Sequence, residues 1–91
     1  MLTDLKCRSA KPKATGYKLG DSEGLFLFVT PTGFRSWRLK YRIAGKEKRL
    51  VIGHYPAVSL TEAREARDQA RKLAKTELGR LLLELADGVH A

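Results

Sequence analysis

The sequence predicts a single α+β domain. A three-stranded antiparallel sheet, with room for a small fourth strand near Lys18, is packed by a long C-terminal helix and preceded by a short N-terminal one. Three observations predict it. Residues Arg35 to Ile43 alternate polar and apolar with the period of a strand. Turn chemistry at Pro31-Thr32-Gly33 and again at Ala44-Gly45-Lys46 joins three apolar-rich runs by connections too short for anything but antiparallel pairing. Ser59-Leu60-Thr61-Glu62 then matches a capping box and opens an apolar stripe at helical spacing.

Taken in order, residues 1–12 hold the short helix. Thr3 is its N-cap, Asp4 favours the positive end of the helix dipole, Leu5 is the expected anchor, and Lys11-Pro12 stops it. Residues 13–57 form an arm and a β-meander. Gly16, Gly20 and Gly24 make the stretch from Lys13 to Gly24 a loop or irregular arm. In Leu25–Thr30, Leu25, Leu27 and Val29 share the core face. Trp37, Leu39, Tyr41 and Ile43 share the inner face of the next strand, and Leu50 and Ile52 that of the third. Residues 58–86 form the long helix, with Ala63, Ala66, Ala70, Leu73, Ala74, Leu78, Leu81, Leu82 and Leu85 along one side. Gly79 marks a kink or break within it. Residues 87–91 are a tail.

Ninety-one residues make one domain with a modest core and little room for a deep catalytic cleft. The single cysteine, Cys7, excludes an intrachain disulfide and any multi-cysteine zinc site. No apolar run approaches the ~18 residues of a membrane span, and no signal peptide is visible, so a reducing cytoplasm is the expected location. The net charge is +8 and unevenly distributed. Residues 1–60 carry twelve Lys/Arg against four Asp/Glu, while residues 61–91 carry six of each. Such segregation is what a polyanion-binding surface requires.

On the central strand Ser36, Arg38, Lys40 and Arg42 face away from the apolar row, the three cations ~6.7 Å apart. Arg49 on the next strand widens the row, and Lys46 and Arg35 stand near the turns at its ends. Such a strand pair can enter the DNA major groove, with arginine reading guanine edges and lysine holding phosphates. Arg38, Lys40 and Arg42 are therefore the candidates for base or groove contact, and Arg49, Lys46 and Arg35 for phosphates. The bland reading is an ordinary solvated sheet face. Phe26 and Phe28 fall on the same side; either they stack on bases or the N-terminal arm folds over them as a second small core. Tyr17 and Tyr55 read as packing residues, Asp21 and Glu23 as turn residues bonding backbone amides, and Cys7 as buried. His54 and His90 lack ligand spacing, the glycines match no phosphate-binding loop, and no metal, cofactor or catalytic centre is expected.

An ordered set of short pieces carries a family resemblance: Leu2-Thr3-Asp4, Lys11-Pro12, Asp21, Gly24-Leu25-Phe26-Leu27-Phe28-Val29, Thr32-Gly33, Trp37, Tyr41-Arg42, Gly45-Lys46, Ile52-Gly53-His54-Tyr55-Pro56 and Ser59-Leu60-Thr61-Glu62-Ala63-Arg64. With these pieces the chain resembles the N-terminal arm-type DNA-binding domain of phage, prophage and genomic-island integrases, which are tyrosine recombinases. The resemblance implies sequence-specific binding of double-stranded DNA at arm-type repeats beside an attachment site, in a bacterial cytoplasm among nucleoid DNA. It implies no catalysis by this fragment itself, the cutting tyrosine lying in the rest of the integrase chain, and it makes a host DNA-bending protein and an excisionase further partners. Family members close the last helix sooner; here Lys75 to Ala86 adds leucine-rich sequence. An exposed face of Leu78, Leu81, Leu82 and Leu85 favours self-association, and the alternative function is a protein-interaction module acting through it. A third reading, RNA binding, requires Phe26 and Phe28 as exposed stacking platforms.

Overall fold

Alternation and turn chemistry produce the expected meander, and one more strand joins it. The structure, a computed structural model, describes residues 1–43 and 45–89. After helix α1 (Asp4–Ser9) come β1 (Tyr17–Gly20), β2 (Leu25–Val29), β3 (Arg35–Ile43) and β4 (Lys46–His54), then α2 (Leu60–Leu73) and α3 (Glu77–Val89). The four strands pair antiparallel in the order β1-β2-β3-β4. The α+β class is borne out, with the fourth strand running through Lys18. Gly45 takes the positive φ that its turn demands, +78°. Ala44, in that turn, and His90 and Ala91, at the end of the expected tail, lie outside the described residues; residues 87–89 are helical rather than tail.

The inner face of the sheet carries Leu25, Leu27, Trp37, Leu39, Tyr41 and Ile43, all buried, with Leu50 and Ile52 half-buried at its margin. Helix α2 lies over this face through Leu60, Ala63 and Ala70, small enough at 63 and 70 to bring the helix close. Its capping box is complete: Glu62 N–H donates to Ser59 Oγ and Ser59 N–H to Glu62 Oε1, both at 3.1 Å. Trp37 Nε1 donates to the Val58 carbonyl at 2.8 Å, fixing the entry to the helix. Helix α1 has the Thr3 cap as expected. Its anchors, however, are Leu2 and Cys7, both buried, while Leu5 is exposed. Burial, followed by the nearby Asp4 and Asp21 carboxylates, pushes the Cys7 thiol above its ordinary pKa.

The expected single C-terminal helix is two. The chain leaves helix α2 at Ala74 and restarts at Glu77, where Thr76 Oγ1 accepts the Gly79 N–H at 2.9 Å as an N-cap. The turn is so tight that a Cβ on Gly79 would collide with the Leu73 carbonyl oxygen. The break also resets the helical phase. Leu83, which the continuous stripe leaves out, is buried in the core, while Leu78, Leu81, Leu82 and Leu85 face outward.

One polar cluster ties the layers together. The Asp21 side chain has no solvent exposure. Its carboxylate accepts from Leu2 N–H at 2.9 Å, from Arg64 Nε and Nη2 at 3.0 and 2.8 Å, and from Arg67 Nη1 at 3.3 Å. Arg64 Nη2 donates as well to the Leu2 carbonyl, and Arg67 Nη1 to Ser22 Oγ. The expected backbone partner of Asp21 is thus present, joined by two arginines from α2. Hydrogen bonding from Arg64, reinforced by Leu2 N–H and the charge of Arg67, holds the Asp21 carboxyl below the usual carboxylate range.

Two outcomes are expected. Asp21→Asn takes from Arg64 and Arg67 the buried carboxylate they share, leaving Arg67 only Glu23 and Asp68 as counter-charges, and should cost about 3 kcal/mol, the low end for breaking a buried pair, in urea unfolding at neutral pH. Since the folded-state pKa of Asp21 is depressed, its stabilisation is fully present above the ordinary carboxylate value of ~3.9. It is lost as pH falls from there through the folded-state value, so the wild-type and Asp21→Asn stabilities should converge in acid. Equal stabilities at neutral pH would contradict this account. Gly79→Ala improves intrinsic helix propensity by about 1 kcal/mol, yet the contact with Leu73 should make it net destabilising by about 1–3 kcal/mol. A higher melting temperature for that variant would show that the tight α2–α3 turn does not form.

Candidate nucleic-acid interface

Because neighbouring strand residues point to opposite faces, the register decides which cations share a surface. Phe26 pairs with Arg38 and Phe28 with Ser36 across β2 and β3. Arg38 pairs with Val51, Lys40 with Arg49 and Arg42 with Glu47 across β3 and β4. Lys18 of β1 stands opposite Phe28. A bulge at Trp37/Arg38 leaves Ile52 between the paired residues Val51 and Gly53. The outer face of the sheet therefore brings together Lys18, Arg38, Lys40, Arg42 and Arg49, with Glu47 as the acidic residue of the register. Helix α2 lies on the other side.

These cations are not equivalent. Arg38 stands over the Phe28 ring, its guanidinium carbon 4.5 Å from the ring centroid, and its Nε donates to Ser36 Oγ at 3.4 Å. Lys18 Nζ stands 5.6 Å from the Phe26 centroid. Lys40 Nζ is 3.7 Å from Glu47 Oε1, a partly exposed pair. Arg42 and Arg49 are exposed. The face thus offers one aromatic-backed guanidinium flanked by the exposed cations Lys18, Arg42 and Arg49, an arrangement suited to an anionic, planar-edged ligand such as duplex DNA.

The remaining candidates fall elsewhere. Arg35 belongs to the inner side: it pairs with Val29, lies 4.8 Å from the Tyr55 ring centroid, and donates to the carbonyls of Cys7 and Arg8 at 2.8 and 3.3 Å. It staples α1 to the sheet. Lys46 pairs with Ile43 and so projects to the side opposite the row, at the exposed hairpin end. Ser36 is buried, and its place in the site is as an acceptor for Arg38. Tyr55 is buried against Trp37 and donates its hydroxyl to Asp4 Oδ1 at 3.1 Å, a packing role.

Phe26 is 7% exposed and Phe28 half-buried. The arm crosses Phe28 at Gly16, where a Cβ would come 2.6 Å from the ring carbon Cζ. The second small core over the phenylalanines is therefore present at Phe28, roofed by Gly16 and Arg38. Sequence reasoning allowed a small strand near Lys18 but did not place Lys18 on the face, because the glycines at 16, 20 and 24 obscure the bounds and register of that strand. The spacing of Tyr17 and Leu19, with Lys18 between them, is the signal that was available. Among the described residues no cluster of His, Cys, Asp and Glu is arranged to hold a metal ion.

Comparison with known proteins places the chain in a family. A family model described as an arm DNA-binding domain matches residues 2–80. The chain is 47% identical over 72 residues to the integrase of Shigella phage Sf6, an alignment covering 79% of this chain and 19% of the phage protein. It is equally similar, over the same shares, to prophage integrase IntS of Escherichia coli K12. To the integrase of enterobacteria phage P4 it is 48% identical over 67 residues, 71% of this chain and 15% of that protein. The chain thus spans less than a fifth of the length of these curated relatives. With nearly its whole length matched by one domain model, the chain belongs to the arm DNA-binding domain family.

Proposed function

We propose that this domain binds double-stranded DNA at arm-type repeats beside an attachment site, through the outer face of its sheet, as the non-catalytic DNA-binding part of an integrase. The observation that carries the reading is the gathering of Lys18, Arg38, Lys40, Arg42 and Arg49 on the one sheet face that α2 does not cover. Beyond Leu25↔Leu39 the β2 ladder ends, so the sheet narrows to the β3–β4 pair alone. Two strands about 4.8 Å apart fit a major groove ~12 Å wide, with side chains reaching the base edges. Arg38 is the base reader in this arrangement, and Lys40, Arg42 and Arg49 serve groove and phosphate contacts. Tethering such a module to the remainder of an integrase raises the effective concentration at a second DNA site, a use that a host DNA-bending protein and an excisionase would assist.

The exposed Leu78, Leu81, Leu82 and Leu85 of α3 support a second reading, a protein-interaction module that self-associates. A single-strand RNA platform needs free aromatic rings, and the covered Phe26 and Phe28 argue against it.

A salt titration on duplex DNA tests the proposal. Four to six phosphate contacts predict a log–log slope of about −4 to −5, at about −0.9 for each phosphate neutralised. The Arg38→Ala/Lys40→Ala/Arg42→Ala variant should lose both affinity and any preference for an arm repeat over a scrambled duplex. Binding that is equal on every duplex and unchanged in the variant would refute the sheet face as the reading surface.

A further inference from the structure

A second group of cations stands just off the sheet face. A shallow pocket of about 220 Å³ is lined by Lys40, Tyr41, Arg42, Arg71, Ala74 and Lys75. It lies beside the stretch of β3 that has outrun β2, where the last backbone link between the two is Lys40 N–H to the Gly24 carbonyl. The C-terminal turn of α2 thereby brings Arg71 and Lys75 to the same margin as Lys40 and Arg42. The four cations are weakly compensated. Arg71 is 3.9 Å from Glu23 and Lys40 3.7 Å from Glu47, both long, partly exposed pairs. Among the described residues no carboxylate lies within ion-pairing distance of Arg42 or Lys75.

A helix C-terminus ordinarily repels anions through its unpaired carbonyls. Here the α2–α3 turn and Arg80 of α3 occupy three of the carbonyls at that end. The Lys72 carbonyl accepts Lys75 N–H, the Leu73 carbonyl accepts Thr76 N–H and its hydroxyl, and the Ala74 carbonyl accepts Arg80 Nε at 2.9 Å. The negative end of α2 is capped by donors, one of them a guanidinium, so the pocket keeps its positive character.

We infer that this pocket is a backbone-phosphate site, in which Arg42, Arg71 and Lys75 grip one phosphate wall of the groove while the outer sheet face meets the bases. The inference rests on the proposed duplex binding and adds a helix-borne contact to it. A two-stranded ribbon in the major groove turns its edges toward the two phosphate strands. The free β3 edge is one of those edges, and the end of α2 is the part of the molecule beside it. Phosphate contacts carry no base information, so the site sets affinity and register, not sequence preference.

Fluorescence anisotropy on an arm repeat and a scrambled duplex, between roughly 50 and 200 mM salt, separates the possibilities. Arg71→Gln/Lys75→Gln should reduce the log–log slope by about 1.8 and the affinity loss across that salt range by roughly tenfold. It should weaken both duplexes alike and keep the preference ratio of the wild type. Lys72→Gln, on the same turn and outside the pocket, should retain the wild-type slope, and thermal melts establish that each variant is folded. A wild-type slope in the folded double variant overturns the inference while leaving duplex binding by the sheet intact. So does a Lys72→Gln loss as large per charge, which would reduce the effect to net charge, and so does a changed preference ratio. Absence of duplex binding by the wild type overturns the proposed function itself.

Discussion

The architecture turns on a carboxylate with no access to water in a protein of net charge +8. Asp21, in the β1–β2 connection, collects four donors from two segments far from it in the chain: the N-terminal lead at Leu2 and the α2 residues Arg64 and Arg67. Removing such a charge from water is unfavourable, and the arrangement holds because every donor is in place together. Without Asp21, the guanidinium of Arg67, itself buried, would face only Glu23, Asp68 and Ser22. The same cluster decides which way α2 faces. By drawing two cations of α2 inward it sets the helix's apolar edge on the inner sheet face, and so leaves the outer face open.

How much of this was legible depended on whether the signal was periodic or conformational. The nine residues of β3 were readable to their ends, since a strict two-residue alternation has one solution. The Ser59–Glu62 capping box was equally plain, because it is a local reciprocal bond. Strand β1 was legible only in outline, as room for a small strand near Lys18, since its four residues lie among glycines and are stabilised by pairing with β2 rather than by their own pattern. The helix break was legible as a kink or break at Gly79, but not at its place ahead of Glu77. Leucines at 78, 81, 82 and 85 continue the α2 phase so well that the stripe looked continuous, and the actual reset depends on Thr76 capping Gly79. Beside Gly79, a threonine followed by glutamate at 76–77 was a local hint.

Arginine roles were the least legible. Arg35, Arg38, Arg64 and Arg67 are the same residue type, yet one clamps α1, one lies on the outer face and two serve Asp21. Alternation separates Arg38 from Arg35 only once the faces are known, and Arg35 sits at a strand end where position invites a surface assignment. Helical spacing places Arg64 and Arg67 on one side of α2 but says nothing of a carboxylate forty residues earlier. Long-range charge pairing is a property of the assembled layers, and only the assembled layers reveal it.

The Arg38–Phe28 stack has a consequence for the energetics of recognition. An arginine free in solution samples many rotamers, and fixing one such side chain on binding costs about 0.5–1.5 kcal/mol. In this fold the Phe28 ring and Ser36 hydroxyl confine the Arg38 side chain before any ligand arrives, and Gly16 holds the ring in turn. Its rotational freedom is surrendered when the chain folds. Under the proposed duplex binding, a ligand reaching the outer face would meet a guanidinium already confined, and the orientation of that group rather than its charge would discriminate. The neighbouring Arg42 and Arg49 are exposed and, among the described residues, have no ring beneath them, so they would be free to follow a ligand's contour. Confined and pliant cations side by side would then divide discrimination from attraction within a single sheet surface.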